Sequence, residues 1–392
     1  MPRLAFLNSV CLLAIVLRLS VGAALLSQGG PNFVLASDDG DAYDAAARWQ
    51  ATGAPLVMTD RLLGKWDPTT PVEARWPQGY WLFLAAQYRL FGSAYASTLV
   101  LQALLALGGV LAVYAMAARV LTEGAACVAA LAQAISSTGI YISAALYAES
   151  LYVPLLLGGL ALVVGLVTLA RLSGLALAAA FGAGVLFGLA EVTRPLAVPV
   201  LGLGAVWLAW ASNAPWGDRV RCIVALSAGF GVALVPFIAH DLATLGRVAV
   251  LTAGGAEALR DQTSRGDSLL ERAFTLFLVG GWVPLGEPPI SNLGGLGTLL
   301  GRLAEWALAA VGGMWLVARS RCLGLVAQRG RSTAAAGLLL VAAAGAVVAP
   351  ALLVGLPLVR YRVPADPIFI IWMVAGVQAV RCARKAVRCA RK

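Results

Sequence analysis

At 392 residues the chain is long enough for two or three soluble domains of about 150 residues each, yet 60% of its positions are hydrophobic and only 12% are charged. An average soluble domain carries roughly 25% charged residues, so this composition cannot cover a soluble surface, and the mean hydropathy of +0.84 agrees. Soluble enzymes, nucleic-acid binders, disulfide-stapled secreted scaffolds and outer-membrane barrels are excluded, which leaves an all-α polytopic membrane protein.

The first apolar run, 4–26, follows Arg3. It is too long for a signal peptide and is interrupted by Arg18, whose side chain could snorkel outward. It therefore predicts a retained anchor with the N-terminus inside. Residues 27–92 follow as a first outer loop with an acidic motif and interfacial helices. Further spans are predicted at 94–118, 124–142, 146–170, 174–192, 195–212, 222–239, 301–318, 333–356 and 366–380, ten in all within a range of 9–12. The apolar segments 80–92 and 273–286 are shorter than the roughly 17 residues a span needs, so they predict interfacial or re-entrant helices. The second lies in a large outer loop at 240–300. The whole chain, 1–392, reads as one transmembrane domain.

Charge tests this threading. The predicted inner ends collect fifteen cations against Glu123 and Asp218, so the cytoplasmic side carries about +13 and the outer side about −4 of the chain's net +10, as the positive-inside rule requires. The tail 381–392 repeats Arg-Cys-Ala-Arg-Lys; it reads as a cytoplasmic anchor that could also bind anionic lipids, at about 1 kcal/mol per cation. No cysteine falls in a predicted outer loop, so no structural disulfide is expected. Cys382 and Cys389 lack histidine partners for a metal site.

The densest polar cluster is Ser37-Asp38-Asp39-Gly40-Asp41-Ala42-Tyr43-Asp44, just outside the first span. Ser37 or Asp39 could cap a helix starting here, and Asp44 and Arg48, four apart, read as an ordinary surface pair. A carboxylate in this loop could instead take the proton of an acceptor hydroxyl. Farther on, Glu149 stands at an outer helix end, Arg194-Pro195 forms an outer turn, and Arg360-Tyr361-Arg362-Val363-Pro364 fills a short outer connection. Two guanidiniums that close suit a phosphate. His240 is the only histidine; alone it cannot hold a metal, and it reads as a loop residue. Outer acids and arginines together suit proton removal from an acceptor and stabilisation of a departing phosphate, without naming a substrate.

The order of these motifs resembles that of the multispanning glycosyltransferases of the GT-C type, in the bacterial group related to lipid A aminoarabinose transferases, protein O-mannosyltransferases and rhizobial lipopolysaccharide sugar transferases. The resemblance covers most of residues 35–375. Asp39, Tyr43, Ala47 and Gly53 match the family's acidic first loop and its Ala-rich helix. Residues 77–92 are similar to its Pro-Pro-x-Tyr-Pro segment leading to Phe-Gly, with Gln78 and Trp81 where prolines are common. Ala148 to Leu151 resembles a Ser-Glu-x-Leu motif with Ala for Ser, and Thr193-Arg194-Pro195 matches Thr-Arg-Pro. Residues 236–259 resemble a stretch beginning Pro-Trp-x-x-Arg-Asn, in which Arg-Asn has become His240-Asp241. Arg360 to Pro364 matches the closing Arg-Tyr-Arg-x-Pro.

The resemblance implies a GT-C-like bundle that transfers a sugar from a polyprenyl-phosphate donor to a glycan, lipid or protein acceptor on the non-cytoplasmic face, with inversion. It makes Asp39 the general base, with Asp38 competing for that role, and Asp41 and Glu149 supporting carboxylates. Arg360, Arg362 and Arg194, with Tyr361, would hold the donor phosphate, and Tyr43, Tyr80, His240 and Asp241 belong to possible substrate loops. No metal-ligand spacing is evident and no cofactor is expected, although the acid cluster could take a divalent cation. The implied location is a bacterial inner membrane, with both termini cytoplasmic. Two alternatives stay open: a transporter or flippase of lipid-linked sugars, and an inactive scaffold that retains the fold.

Overall fold

The computed structural model describes residues 2–34, 40–53, 76–169, 174–212, 214–248, 307–316, part of 337–344, and 365–390. Every regular element among them is a helix. In chain order these are α1 (Pro2–Val34), α2 (Gly40–Thr52), α3 (Gln78–Phe91), α4 (Tyr95–Val120), α5 (Glu123–Ala134), α6 (Ser137–Ala144), α7 (Glu149–Val167), α8 (Gly174–Thr193), α9 (Val198–Ala211), α10 (Trp216–Leu245), α11 (Ala307–Leu316) and α12 (Asp366–Ala390).

Six of the described helices are long and apolar enough to cross a membrane: Ala5–Gln28 within α1, α4, α7, α8, α10 and Asp366–Ala383 within α12. The bent pair α5 and α6 makes a seventh if it counts as one span. The chain is a polytopic membrane protein. Predicted spans at 94–118, 146–170 and 174–192 coincide with α4, α7 and α8. The span predicted at 333–356 and the segment 273–286 lie largely or wholly outside the described residues.

Four expectations are corrected. The predicted span 124–142 is two helices meeting at 45°. Sharp bends have local causes, and here both sides of the break are capped by side chains. Ser136 accepts a hydrogen bond from the Gly139 amide at 3.3 Å at the start of α6. Arg18 of α1 donates to the Ala134 carbonyl at the end of α5 at 2.9 Å, and to its own Ala14 carbonyl at 3.0 Å. Arg18 is thus buried inside the bundle, 2% exposed, rather than reaching outward to water. Its cation meets the negative end of the α5 dipole.

The predicted span 195–212 is only the 14-residue α9, about 21 Å long at 1.5 Å per residue and too short to cross. Buried Glu191 folds back from the end of α8 to accept from the Ala197 and Val198 amides, at 2.7 and 3.1 Å, so the turn spends those residues on capping. By contrast α10 runs for 30 residues, about 45 Å against a hydrocarbon core of about 30 Å. His240 and Asp241 are consequently helical, near its end, rather than in a loop.

The main core joins α4, α5, α7, α8 and α10 through side chains such as Met116, Leu157, Leu160, Val163, Phe187 and Leu226. The close packing of α8 on α10 depends on Gly184, Gly188 and Gly229, whose missing side chains let the helix backbones touch. Apolar helices in lipid gain little from burying greasy surface against one another, so small residues at the crossing decide the fit. A second core lies at one end of the bundle, where Tyr43, Trp76, Tyr80, Trp81, Leu84, Tyr88 and Leu146 pack α2 and α3 against the turn before α7.

Candidate functional site

The second core positions the candidate site. Ala42 and Tyr43 in the first turn of α2 share it with Leu146 and Ala148, which immediately precede Glu149. The first turn of α2 and the first residue of α7 are therefore brought to the same end of the bundle. Asp41 sits in this first turn of α2, its Oδ1 accepting from the Ala42 amide at 3.0 Å. Tyr43 is buried with its ring edge-on to Tyr80, centroids 5.0 Å apart.

Glu149 is buried and forms an ion pair with Arg194, through Oε1 and Nη1. Only 12% of the Arg194 side chain and 3% of the Glu149 side chain are exposed, so each charge compensates the other where solvation is poor. The Thr193-Arg194-Pro195 turn is in turn clamped against the start of α3. A side chain on Gly79 would lie 2.6 Å from Thr193 Oγ1 and 2.7 Å from its backbone nitrogen, so only glycine allows this approach. Beside it, Gln78 donates from Nε2 to Oδ1 of Asp241, and both residues are buried. One short segment of α3 thus contacts α8 and α10 and fixes the turn that carries Arg194.

Behind this lies a polar network that sequence reasoning missed. Tyr80 donates to Gln102 Oε1 at 2.7 Å, and Ser150 Oγ approaches the same atom at 2.6 Å. The Gln102 amide nitrogen donates to the Ser143 and Ala145 carbonyls, both at 3.1 Å, which ties α3, α4, α6 and α7 together. The signal was present: a glutamine inside a 26-residue apolar helix is costly in a membrane unless it has partners. Burial holds the Tyr80 phenol far above its ordinary value, so it remains a donor.

Asp44 and Arg48 are not the ordinary surface pair expected of them. Asp44 is buried and accepts from Arg48 Nε at 2.8 Å, Tyr88 at 2.6 Å and Tyr95 at 3.1 Å. The Arg48 guanidinium lies over the Tyr88 ring at 5.5 Å and the Tyr95 ring at 5.7 Å. Burial opposes the Arg48 charge, but the hydrogen bond and field of Asp44 outweigh it and raise its pKa. Burial, reinforced by Asp44, also raises the Tyr88 phenol. This carboxylate holds α2, α3 and α4 in register.

Asp38 and Asp39 lie outside the described residues, directly before Gly40, and Arg360, Tyr361 and Arg362 lie outside them, shortly before α12. His240 is on α10, where its carbonyl accepts from Thr244 at 2.8 Å.

No protein-family model matches the sequence, and no curated protein matches it. Among solved structures, the fold is similar to archaeal oligosaccharyltransferase AglB from Archaeoglobus fulgidus in complex with an inhibitory peptide and a dolichol-phosphate. The TM-score is 0.61 at 14% identity, over 99% of this chain and 51% of that one. The apo form of the Archaeoglobus fulgidus oligosaccharyltransferase gives a TM-score of 0.55 at 13% identity, over 99% and 52%. A form tethered to an acceptor peptide containing the NVT sequon gives 0.50 at 13%, over 96% and 49%. The chain spans about half the length of these proteins. What the likeness shows is the fold: an all-helical, polytopic membrane bundle of the GT-C-like type.

Proposed function

We propose that the protein is a membrane glycosyltransferase that moves a sugar from a polyprenyl-phosphate donor to a glycan, lipid or protein acceptor on the non-cytoplasmic face, with inversion. A fold alone does not fix a function. The observation that carries the reading is the convergence of α2's acidic first turn with the buried Glu149–Arg194 pair, on a fold shared with proteins solved with a dolichol-phosphate and with an acceptor peptide.

The reaction is a single displacement. Asp39 takes the proton of the acceptor hydroxyl as its oxygen attacks the anomeric carbon. The bond from that carbon to the phosphate oxygen breaks, and polyprenyl phosphate leaves with the electron pair. Asp38 is the competing base. Asp41 and Glu149 orient the acceptor and donor, with Tyr43, Tyr80, His240 and Asp241 shaping the substrate loops. Arg360, Arg362 and Arg194, with Tyr361, stabilise the charge that develops on the leaving phosphate. Rate acceleration then comes from alignment and from fixed charges in a poorly solvated site. No step is assigned to a metal or a cofactor. The protein would sit in a bacterial inner membrane, with both termini in the cytoplasm and the basic tail on anionic lipid.

The test is turnover. Purified protein incubated with polyprenyl-phosphate sugars should release polyprenyl phosphate, and Asp39→Asn should reduce release by roughly the 10²–10⁴-fold typical of a lost general base without lowering the unfolding temperature. Full activity in Asp39→Asn would remove the base assignment. Movement of intact lipid-linked sugar across a bilayer, without transfer, would favour a flippase.

A further inference from the structure

The two halves of the Glu149–Arg194 pair are both referenced to one turn of α3. Gly79 lies against the turn that carries Arg194. Its neighbour Tyr80 donates to Gln102 of α4, and Gln102 in turn holds the segment that carries Glu149.

Gln102 is fully buried, and every hydrogen-bonding position of its amide is filled. A primary amide offers two donors and two acceptor lone pairs. Oε1 accepts from the Tyr80 phenol at 2.7 Å and from the Ser150 hydroxyl at 2.6 Å, while Nε2 donates to the Ser143 and Ala145 carbonyls at 3.1 Å each. By contrast Gln133, also buried in an apolar helix, leaves its oxygen without a partner. Ser143 belongs to the last turn of α6, where carbonyls lack donors within their own helix, and Gln102 supplies one.

The positions of these contacts matter more than their number. Ser143 and Ala145 precede Glu149 and Ser150 directly follows it, so one amide grips residues 143–150 at both ends. On the other side, the ring of Tyr80 meets Tyr43 in the first turn of α2, centroids 5.0 Å apart. A glutamine that only joined two helices would need one partner; this one gathers the acidic turn of α2, the start of α3 and the start of α7. We infer that Gln102 is a positioning residue for the transfer reaction, setting the Glu149 carboxylate relative to Arg194 and to α2, an inference that rests on the sugar-transfer reading above.

The Ser150 hydroxyl also lies 2.7 Å from the Tyr147 carbonyl. Without Gln102 it turns wholly to that carbonyl, and the first turn of α7 is then tied only to itself. Glu149 keeps Arg194 as a partner but loses its fixed origin, and displacement of about 1 Å in a reacting constellation costs about 10²-fold in rate.

The experiment measures kcat and KM for release of polyprenyl phosphate from short-chain prenyl-phosphate sugars by purified full-length protein, with unfolding temperature recorded for each variant. Ser150→Ala removes only the link between Gln102 and the Glu149 segment, since Oε1 keeps Tyr80 and Nε2 keeps both carbonyls. Its kcat should fall about ten- to a hundredfold with KM for the donor nearly unchanged. Ser150→Thr restores the hydroxyl and should restore kcat; Ser150 borders a cavity of about 40 Å³, which leaves room for the methyl group. Gln102→Met removes all four bonds at similar volume, should lower kcat at least as far, and takes the place of Ser150→Ala should that variant fail to fold. Ser143→Ala is the control. Its hydroxyl bonds only to the Gly139 and Ile140 carbonyls of its own helix, and its backbone carbonyl still meets Gln102, so kcat should hold.

An unchanged kcat in folded Ser150→Ala, or a rise in KM alone, would overturn the positioning role and leave Gln102 as a structural tie, with the transfer reading intact. Equal slowing in Ser150→Ala and Ser150→Thr would overturn it too, because the hydroxyl would then not be the acting group. Absence of release by the unaltered protein would remove the transfer reading and the positioning role with it.

Discussion

Gly79→Ala is the sharpest perturbation of the site, because the obstacle is backbone. The added methyl would meet Thr193 at 2.6 Å from Oγ1, 2.7 Å from the nitrogen and 2.8 Å from Cα, where ordinary contact begins at 3.4 Å. A rotamer change in Thr193 relieves only the first of these. The start of α3 and the Thr193–Arg194 turn must therefore separate by about 0.6–0.7 Å, an overpacking strain of roughly 1–3 kcal/mol. The movement carries Arg194 away from Glu149, and misplacement of about 1 Å at a catalytic constellation can cost about 10²-fold in rate. Thermal unfolding in detergent and release of polyprenyl phosphate should both fall. Gly108→Ala, which meets nothing within 4 Å, should leave both at the level of the unaltered protein. Unchanged stability and unchanged turnover in Gly79→Ala would refute the idea that this contact positions Arg194.

Three further outcomes are expected. Asp44→Asn should lower stability by about 1–2 kcal/mol, because three donors lose a charged acceptor; the loss stays moderate because the Arg48 side chain is 38% exposed and keeps part of its hydration. Glu191→Ala should cost about 1–2 kcal/mol, the range for removing a helix cap, with increased hydrogen exchange at the Ala197 and Val198 amides as the local readout. For the buried Gln78–Asp241 pair, Gln78→Leu and Asp241→Leu should each destabilise, and the double variant should lose less than the sum of the two, since both single changes break the same hydrogen bond. Additive losses in that cycle would show that the two side chains do not depend on each other.

Hydropathy made most of the membrane bundle legible, because a 20-residue apolar run has few alternatives to a span. It failed where side chains intervene. The 124–142 run has the composition of one helix, and its break is capped by Ser136 on one side and on the other by Arg18, more than a hundred residues away. The 195–212 run is shortened by a carboxylate, Glu191, that an apolar count treats as a flaw in the preceding span. In the site, local motifs located Glu149 and Arg194, but nothing in their separation of 45 residues shows that they meet. Gln102 and Gln133 carried a readable signal as amides within apolar runs. Their partners depend on the crossing of helices, which periodicity does not encode. Asp44 shows the same limit: spacing of four residues found Arg48, while Tyr88 and Tyr95 arrive from other helices and turn a surface pair into a buried junction.

The departures at positions 78 and 241 bear on whether the site is intact. Judged separately, Gln78 in place of a common proline and Asp241 in place of an asparagine each weaken the resemblance to an active glycosyltransferase. In the fold they are one feature, since the Gln78 amide donates to the Asp241 carboxylate. A proline at 78 would present no donor to this carboxylate, whereas the glutamine does. Here the Gln78 amide nitrogen meets the Asp241 carboxylate beside Gly79 and the Arg194 turn, while Gln78 Oε1 is buried without a partner. The pairing ties the start of α3 to α10, and the double-variant cycle measures that coupling directly.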